Sequence, residues 1–373
     1  MLCYITASAR ATQVLGDLVR NHICGRSFTT CFYLQENYGS HDERPWDIPI
    51  ELDAIDAMHQ RGPLNTSGPI GNAWGLWDIG DQLGMLNRLN ESTTVAALQE
   101  VQHGIRVCTD WTLDNPLVPP FGRKPFEHDF VTKFFQTGRS SIDDTININT
   151  QSSSKWDGFR HFGYQGTAQY FNGVTNQQIL NGTDNILGLH HWVNSGGIVG
   201  RGVLLDYAEY MAAHGIVYDV FNNTEILASD LDAVLAFQNT TTRPGDILFV
   251  RSNLTTRFKE LSQEAQNAYS GANPLPGMGV KSEEATLRWI WDREPAAVAS
   301  DMISFEITPM VATPFLLDEW LLAGWGMPIG ELFDLQKLGD TAKQLNKYNL
   351  FFSSVPLNVP GGVASPPNGV GIF

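Results

Sequence analysis

QSSSKWDGFRHFGYQGTAQYFNG, running from Gln151 to Gly173, gathers an acid (Asp157), an imidazole (His161), an ammonium (Lys155) and six aromatic rings into one segment. Its Ser, Gly and Gln content is too high for a core helix, and the mixture of reactive and aromatic side chains is the composition of a site. Asp157 and His161 stand four residues apart, so a helical turn puts both on one face, and an extended chain leaves them on the same side. Either geometry lets them converge on one ligand. As an isolated pair they have a plainer reading, in which Asp157 caps a turn and His161 is a satisfied, partly buried histidine.

Immediately upstream, Asp144-Thr-Ile-Asn-Ile-Asn-Thr150 alternates apolar and polar residues and is rich in Ile and Thr, which predicts a short, half-buried strand. The candidate site then lies where a strand ends and a loop begins.

Asp157-Gly-Phe-Arg-His161 resembles the second half of His-x-Gly-Thr-His-x-Asp-x-x-x-His, a motif of the cyclase family, the kynurenine-formamidase-like metal-dependent hydrolases. Five further blocks are similar to the longer branch of that family, in the same order. They are Gly75-Leu-Trp-Asp78, Asp81-Gln-Leu-Gly-Met-Leu-Asn87, Gly200-Arg-Gly-Val-Leu-Leu-Asp206, Arg243-Pro-Gly-Asp-Ile-Leu248 and Gly324-Trp-Gly-Met-Pro-Ile-Gly-Glu331, and the resemblance spans residues 68 to 365. It implies an α/β protein of swivelling β/β/α type, a mixed sheet with a β-barrel-like core and helices packed around it. It further implies a site between that sheet and the helices, a divalent metal that activates water, and a homodimer or homotetramer with sites near subunit contacts.

The departures from the motif matter as much as the matches. Gln151, Ser153, Ser154 and Lys155 stand where the motif has its first His, its Gly, its Thr and its second His, so only Asp157 and His161 keep their identity. Downstream, the family's His and Glu ligands fall on Asp318 and Glu331. The ligand set that the resemblance implies is therefore Asp157, His161, Asp318 and Glu331, one imidazole and three carboxylates. Zinc favours imidazole and thiolate, and a set this rich in carboxylate suits manganese or magnesium better. The alternative is that Lys155 puts its own charge among those carboxylates, and then no metal is needed.

The chain has 373 residues, of which 42% are hydrophobic, enough for a large buried core. With 24 Lys and Arg against 40 Asp and Glu, its formal charge of −16 repels phosphate backbones and anionic lipid. Nucleic acid and membrane surfaces are thus excluded as expected partners, and a small-molecule substrate is expected. Residues 1–45 read as a variable extension and 46–373 as a single catalytic domain. The extension holds Cys3, Cys24 and Cys31, with Cys108 alone in the body, so no disulfide framework is formed and a reducing, cytoplasmic setting is expected. No apolar run is long enough for a membrane span.

Val95, Leu98, Val101 and Ile105 have the spacing of an amphipathic helix packed on the sheet. His128, between Glu127 and Asp129, is a candidate pocket residue. The glycines from Gly196 to Gly202 suggest a phosphate loop, but neither G-x-x-x-x-G-K-[ST] nor G-x-G-x-x-G is met, so no nucleotide is expected. Instead Ile198 to Leu205 reads as a buried strand whose glycines allow close backbone approach, with Arg201 and Asp206 as a structural pair or pocket wall. His190 and His191 are adjacent and point apart, so at most one faces a ligand. Ser229 reads as a helix cap, Ile247 to Arg251 and Ala296 to Ser300 as strands, the latter leading to Asp301 and Glu306, and Glu331 as the first residue of a helix.

Together these residues predict an enzyme acting on a carbonyl. Lys155, Asp157, His161 and Gln151 are the expected catalytic residues. Trp156, Phe159, Phe162, Tyr164, Tyr170, His128, His190 and Arg201 are expected to bind a largely apolar or aromatic substrate. With a divalent metal (Mn, Mg or Zn), the chemistry is hydrolysis of an amide, lactone or ester by activated water. Without one, it is a cyclisation or isomerisation of specialised metabolism, in which Lys155 polarises a carbonyl and the rings orient the substrate. A non-catalytic binding protein on the same scaffold is the third reading.

Overall fold

A computed structural model of the chain describes residues 68–78, 80–182, 184–311 and 313–373. The expected extension, residues 1–45 with Cys3, Cys24 and Cys31, lies outside the described residues. Cys108 is exposed and unpaired.

The core is built on strands whose sequences bury both faces. In β5 (Ile198–Asp206) and β7 (Ile247–Arg251) the runs Val-Leu-Leu and Ile-Leu-Phe-Val carry no exposed residue, as expected of strands covered on both sides. They pair in parallel with each other, β7 pairs in parallel with β9 (Ala297–Ser300), and β9 with β10 (Ile329–Glu331). Parallel neighbours need long crossovers, supplied by helices such as Tyr207–Ala213, Ala228–Phe237 and Glu284–Arg293. Antiparallel strands complete the sheet: β1 (Arg106–Cys108), β4 (Lys155–Asp157), β11 (Asn349–Ser354), β12 (Ala364–Ser365) and β13 (Gly369–Ile372). The nine strands run in the order β1-β13-β11-β5-β7-β9-β10-β4-β12 and curl into a half-barrel with helices around it, the mixed sheet that the sequence predicts.

Close approach explains a glycine in β5. A Cβ on Gly202 would meet Phe249 Cε2 and Leu350 Cγ at 3.1 Å, one from each neighbouring strand.

Several local expectations are corrected. The predicted strand at 144–150 forms as β3 (Ile142–Asn147), but it pairs only with β2 (Glu127–Thr132) and the whole hairpin is exposed. The periodicity was there; among the described residues no layer covers it. The helix expected through Ile105 ends at Ala97 and continues only as a 3-10 turn to Glu100. Its apolar positions Val95, Leu98, Val101 and Ile105 are all exposed, and only Ala97 is buried in the helix. The helix predicted from Ser229 starts at Ala228, and Asp230, not Ser229, bonds back to the Leu227 N–H at 2.9 Å. Arg201 and Asp206 do not pair with each other. An odd separation along a strand puts them on opposite faces, so Arg201 binds Asp246 (2.7 Å) and Glu100 (2.9 Å), while Asp206 binds Arg251 (2.8 Å). Glu331 ends strand β10 and does not begin a helix, so no helix dipole acts on it.

Candidate active site

β4 lies between β10 and β12 in the sheet, and against β10 it is antiparallel with Lys155 opposite Glu331, Trp156 opposite Gly330 and Asp157 opposite Ile329. Residues directly opposed across an antiparallel pair share a face, as do residues two apart on one strand. Lys155, Asp157 and Glu331 therefore project to one side. Trp156 projects to the other, where its ring packs edge-on against Phe333 at 5.0 Å and its indole N–H donates to Ser354 Oγ at 2.9 Å.

Lys155 is fully buried, with Nζ 2.6 Å from Glu331 Oε2. That is an ion-pair distance, and Nζ has no hydrogen-bond acceptor among the described residues. Glu331 Oε1 accepts from the Phe305 N–H at 3.2 Å. Asp157 accepts from Gln151 Nε2, while Gln151 Oε1 and Ser152 Oγ are buried without a partner among the described residues. Buried polar atoms are nearly always paired, so three such atoms beside one ion pair mark a place where another molecule's polar groups fit.

Asp318 joins this group from the segment that leads into the π-helix Glu319–Trp325. Burial, then the charges of Glu306, Glu331 and Asp157, push its carboxyl well above the usual carboxylate range, with Lys155 opposing them. Glu306 holds the segment in place, accepting from the N–H groups of Leu317 and Asp318 at 3.0 Å each and from the Ser282 hydroxyl. Burial raises the Glu306 pKa as well, against the lowering effect of those three donors. Sequence reasoning placed Glu306 after a strand but not in the site. Nothing in its local pattern signals the role, because the role comes from a segment that packs on it from further along the chain.

His161 makes no bond to this group among the described residues. Its ring is partly exposed, forms no hydrogen bond or ion pair among the described residues, and has Phe162 as a ring neighbour at 6.4 Å. Asp157 points into the sheet's buried side and the chain turns at Gly158, whose carbonyl accepts the His161 N–H at 2.9 Å.

The expected aromatic lining is mostly core. Trp156, Phe159 and Tyr164 are buried, Phe159 packing on Phe171 (5.3 Å) and Trp192 (5.1 Å) and Tyr164 on Trp74 (6.1 Å). Phe162 and Tyr170 lie partly buried against the same cluster, and the Tyr170 hydroxyl donates to Asn176 Oδ1 at 2.8 Å. His128 sits on the exposed hairpin, bonded to Asp144 Oδ2 at 2.8 Å and stacked near Phe130 at 4.7 Å. Arg201 is consumed by its two carboxylates. His190 Nδ1 accepts from the Gly361 N–H at 3.3 Å.

A cleft of about 430 Å³ adjoins the central segment. It is lined mainly by apolar groups, among them Trp111, Leu113, Phe126, Ile146, Ile148 and Pro366. Its wall is tied to the residues just before Lys155: the Trp111 N–H donates to Ser154 Oγ at 2.8 Å, and Ser153 Oγ donates to the Thr112 carbonyl at 3.1 Å. A larger cavity of about 510 Å³ lies under the helix Tyr207–Ala213, lined by residues such as Tyr218, Phe221 and Arg257. None of the candidate residues lines either space; the smaller cleft is the one bonded to the central segment, through Ser153 and Ser154.

The divalent ion implied by the motif does not fit these residues. A metal needs three or more ligand atoms converging on one point, and among the described residues no three His, Cys, Asp or Glu side chains do so. The position of the motif's second imidazole is taken by Lys155, which already places a positive charge against Glu331.

The family model described as a putative cyclase matches residues 82–307. A crystal structure described as a novel cyclase superimposes with a TM-score of 0.71 at 28% identity, covering 81% of this chain and 99% of that one. An isatin hydrolase bound to the product analogue thioisatinate gives 0.52 at 13% identity, covering 76% and 99%. Isatin hydrolase A from Ralstonia solanacearum gives 0.52 at 14%, covering 76% and 98%. At such identities the two hydrolases show a shared fold only. No curated protein matches the chain.

Proposed function

Since this chain belongs to the cyclase family, we propose that it is an enzyme acting at the carbonyl group of a small, largely apolar or aromatic metabolite, with the Lys155 ammonium supplying the positive charge that polarises that carbonyl. The observation that carries this reading is the fully buried Lys155 Nζ, 2.6 Å from Glu331 Oε2, with no hydrogen-bond acceptor among the described residues. A preorganised donor in a dry site is worth far more than the same donor in water. Lys155 is held in place by Glu331 and offers its free N–H bonds to a substrate oxygen. Asp157, oriented by Gln151, stands on the same face to accept a proton or to carry a hydroxyl. The apolar cleft beside Ser153 and Ser154 supports a substrate with one polar end and an apolar body.

Two reactions are consistent with such a set. Ring closure or isomerisation needs only orientation and a polarised carbonyl, and the burial of every residue from 151 to 160 favours it by excluding water. Hydrolysis of an amide, lactone or ester, with Asp157 as base, is the second reading, favoured by the hydrolase neighbours in fold.

Turnover of candidate carbonyl substrates in H₂¹⁸O, with and without chelator, tests both. Retention of activity after exhaustive chelation is expected, and an isomeric product without label identifies the ring-closing reaction. Labelled carboxylate product identifies hydrolysis. Loss of all turnover on chelation, restored by a divalent ion, would rule out Lys155 as the electrophile.

A further inference from the structure

Three arginines of the described structure are more than nine-tenths buried: Arg160, Arg201 and Arg251. Two of them meet carboxylates, Arg201 with Glu100 and Asp246 and Arg251 with Asp206. Arg160, 8% exposed, meets none among the described residues. Its Nε donates to the Ile186 carbonyl at 2.5 Å and its Nη1 to the Gly361 carbonyl at 2.8 Å, while Nη2 is buried with no partner. Two neutral carbonyls do not neutralise a covered guanidinium, and a buried charge without a counter-charge is costly. In a chain of formal charge −16, acids are plentiful, yet none of the described residues brings one here.

Two imidazoles adjoin Arg160, and burial, then the charge of His190, lower the His191 pKa. The Gly361 peptide links Arg160 to His190, since its carbonyl takes Arg160 Nη1 and its N–H goes to His190 Nδ1 at 3.3 Å. The His190 and His191 rings lie 4.0 Å apart, and His191 Nε2, like Arg160 Nη2, is buried without a partner. Asn185 completes the ring of residues. A Cβ placed on Gly361 would lie 2.8 Å from both Arg160 Nη1 and Asn185 Oδ1, so a glycine, with φ +71°, lets the backbone approach the guanidinium this closely. Both histidines, Asn185 and Gly361 are partly exposed, so the place is reachable from solvent.

We propose that Arg160, His190 and His191 form an anion site that takes a small monocarboxylate, lying three residues beyond Asp157 and independent of the chemistry assigned to Lys155. One free guanidinium N–H and the neighbouring imidazole edge match the two oxygens of a planar carboxylate. Trp192, packed on Phe159 at 5.1 Å, provides apolar surroundings for the body of such a ligand.

Benzoate is the probe, with neutral benzamide and inorganic sulfate as controls, titrated calorimetrically into the full-length protein. Saturable benzoate binding, absent for benzamide and weaker for sulfate, is expected. Arg160→Gln should abolish it. Because Arg160 also braces two carbonyls and its loss can unfold the region, Asn185→Asp is the second variant. Its backbone φ of +49° is one that Asp adopts readily, and it places a carboxylate beside the unpaired guanidinium. Asn185→Asp should raise the thermal midpoint and weaken benzoate binding by about tenfold or more, as an internal counter-charge displaces the external one. No benzoate saturation up to about 10 mM, equal binding of sulfate, or benzoate binding of parental strength in either variant would each overturn the proposal.

Discussion

Lys155 and Glu331 face each other across β4 and β10 as a directly opposed antiparallel pair, and the register of those two strands, not the sequence around either residue, brings Nζ to 2.6 Å from Oε2. The pair lies in the sheet's interior, where removing one member leaves the other charged and unmatched.

A double-mutant cycle follows from that burial. Lys155→Met alone and Glu331→Gln alone should each cost about 3–5 kcal/mol, while the double variant should recover most of the loss. Urea unfolding of the four proteins gives the coupling energy. Additive single losses would show that the two groups do not interact as an ion pair.

Gly330 sets the fit of β10 on its neighbours. A Cβ there would meet Ala299 Cβ at 2.6 Å, Phe333 Cε2 at 2.7 Å and Trp156 Cζ3 at 3.0 Å. Gly330→Ala should destabilise by about 1–3 kcal/mol through overpacking, and turnover should fall because the strand carrying Glu331 shifts against the one carrying Lys155. Gly166→Ala, with nothing within 4 Å of the added methyl, is the control and should stay within about 0.5 kcal/mol of the parent. Equal effects at the two positions would contradict the packing argument.

Asp301 predicts a pH dependence of stability. Burial lifts its carboxyl from 3.8 to about 6, against the opposing effect of the Ser252 N–H and hydroxyl, the Arg251 charge and the Asn253 N–H. A raised pKa means the folded chain binds a proton that the unfolded chain has released. The stabilising contribution is therefore complete below 3.8 and is lost as pH rises through about 6. Across the whole window it amounts to roughly 2–3 kcal/mol. The urea midpoint should rise as pH is lowered from about 7 to about 5, and the slope should flatten in Asp301→Asn. An unchanged slope in that variant would assign the effect to other carboxylates.

Glu306 is a positioning residue for Asp318. Glu306→Gln keeps one acceptor oxygen for the Leu317 and Asp318 N–H groups and loses the other, which should cost about 1–3 kcal/mol. If the role is positional, kcat should fall while KM changes little, and Glu306→Asp should rescue neither. A variant with parental kcat would remove Glu306 from the site.

Much of the architecture was written into local sequence. The runs that became β5, β7 and β9 are apolar on both faces, and that alone predicts burial between layers. The block from Asp157 to His161, with five others in order, was enough to predict a mixed sheet with helices around it. The same local code misled wherever it lacked a covering layer. Asp144 to Thr150 alternates like a half-buried strand, yet the strand that forms, Ile142–Asn147, lies in an exposed hairpin, and Val95 to Ile105 has the spacing of a packed helix whose apolar side is exposed.

Periodicity specifies which faces want burial, and the sequence by itself therefore determined the strands, the family and the presence of Lys155 where an imidazole was expected. Partners were decided only by tertiary structure. That Lys155 meets Glu331, that Glu306 holds Asp318 and that Arg160 is buried with no acid beside it among the described residues all depend on strand register and on segments meeting from distant parts of the chain. A side chain's neighbours across a sheet are fixed by that register, and no pattern confined to one strand encodes it.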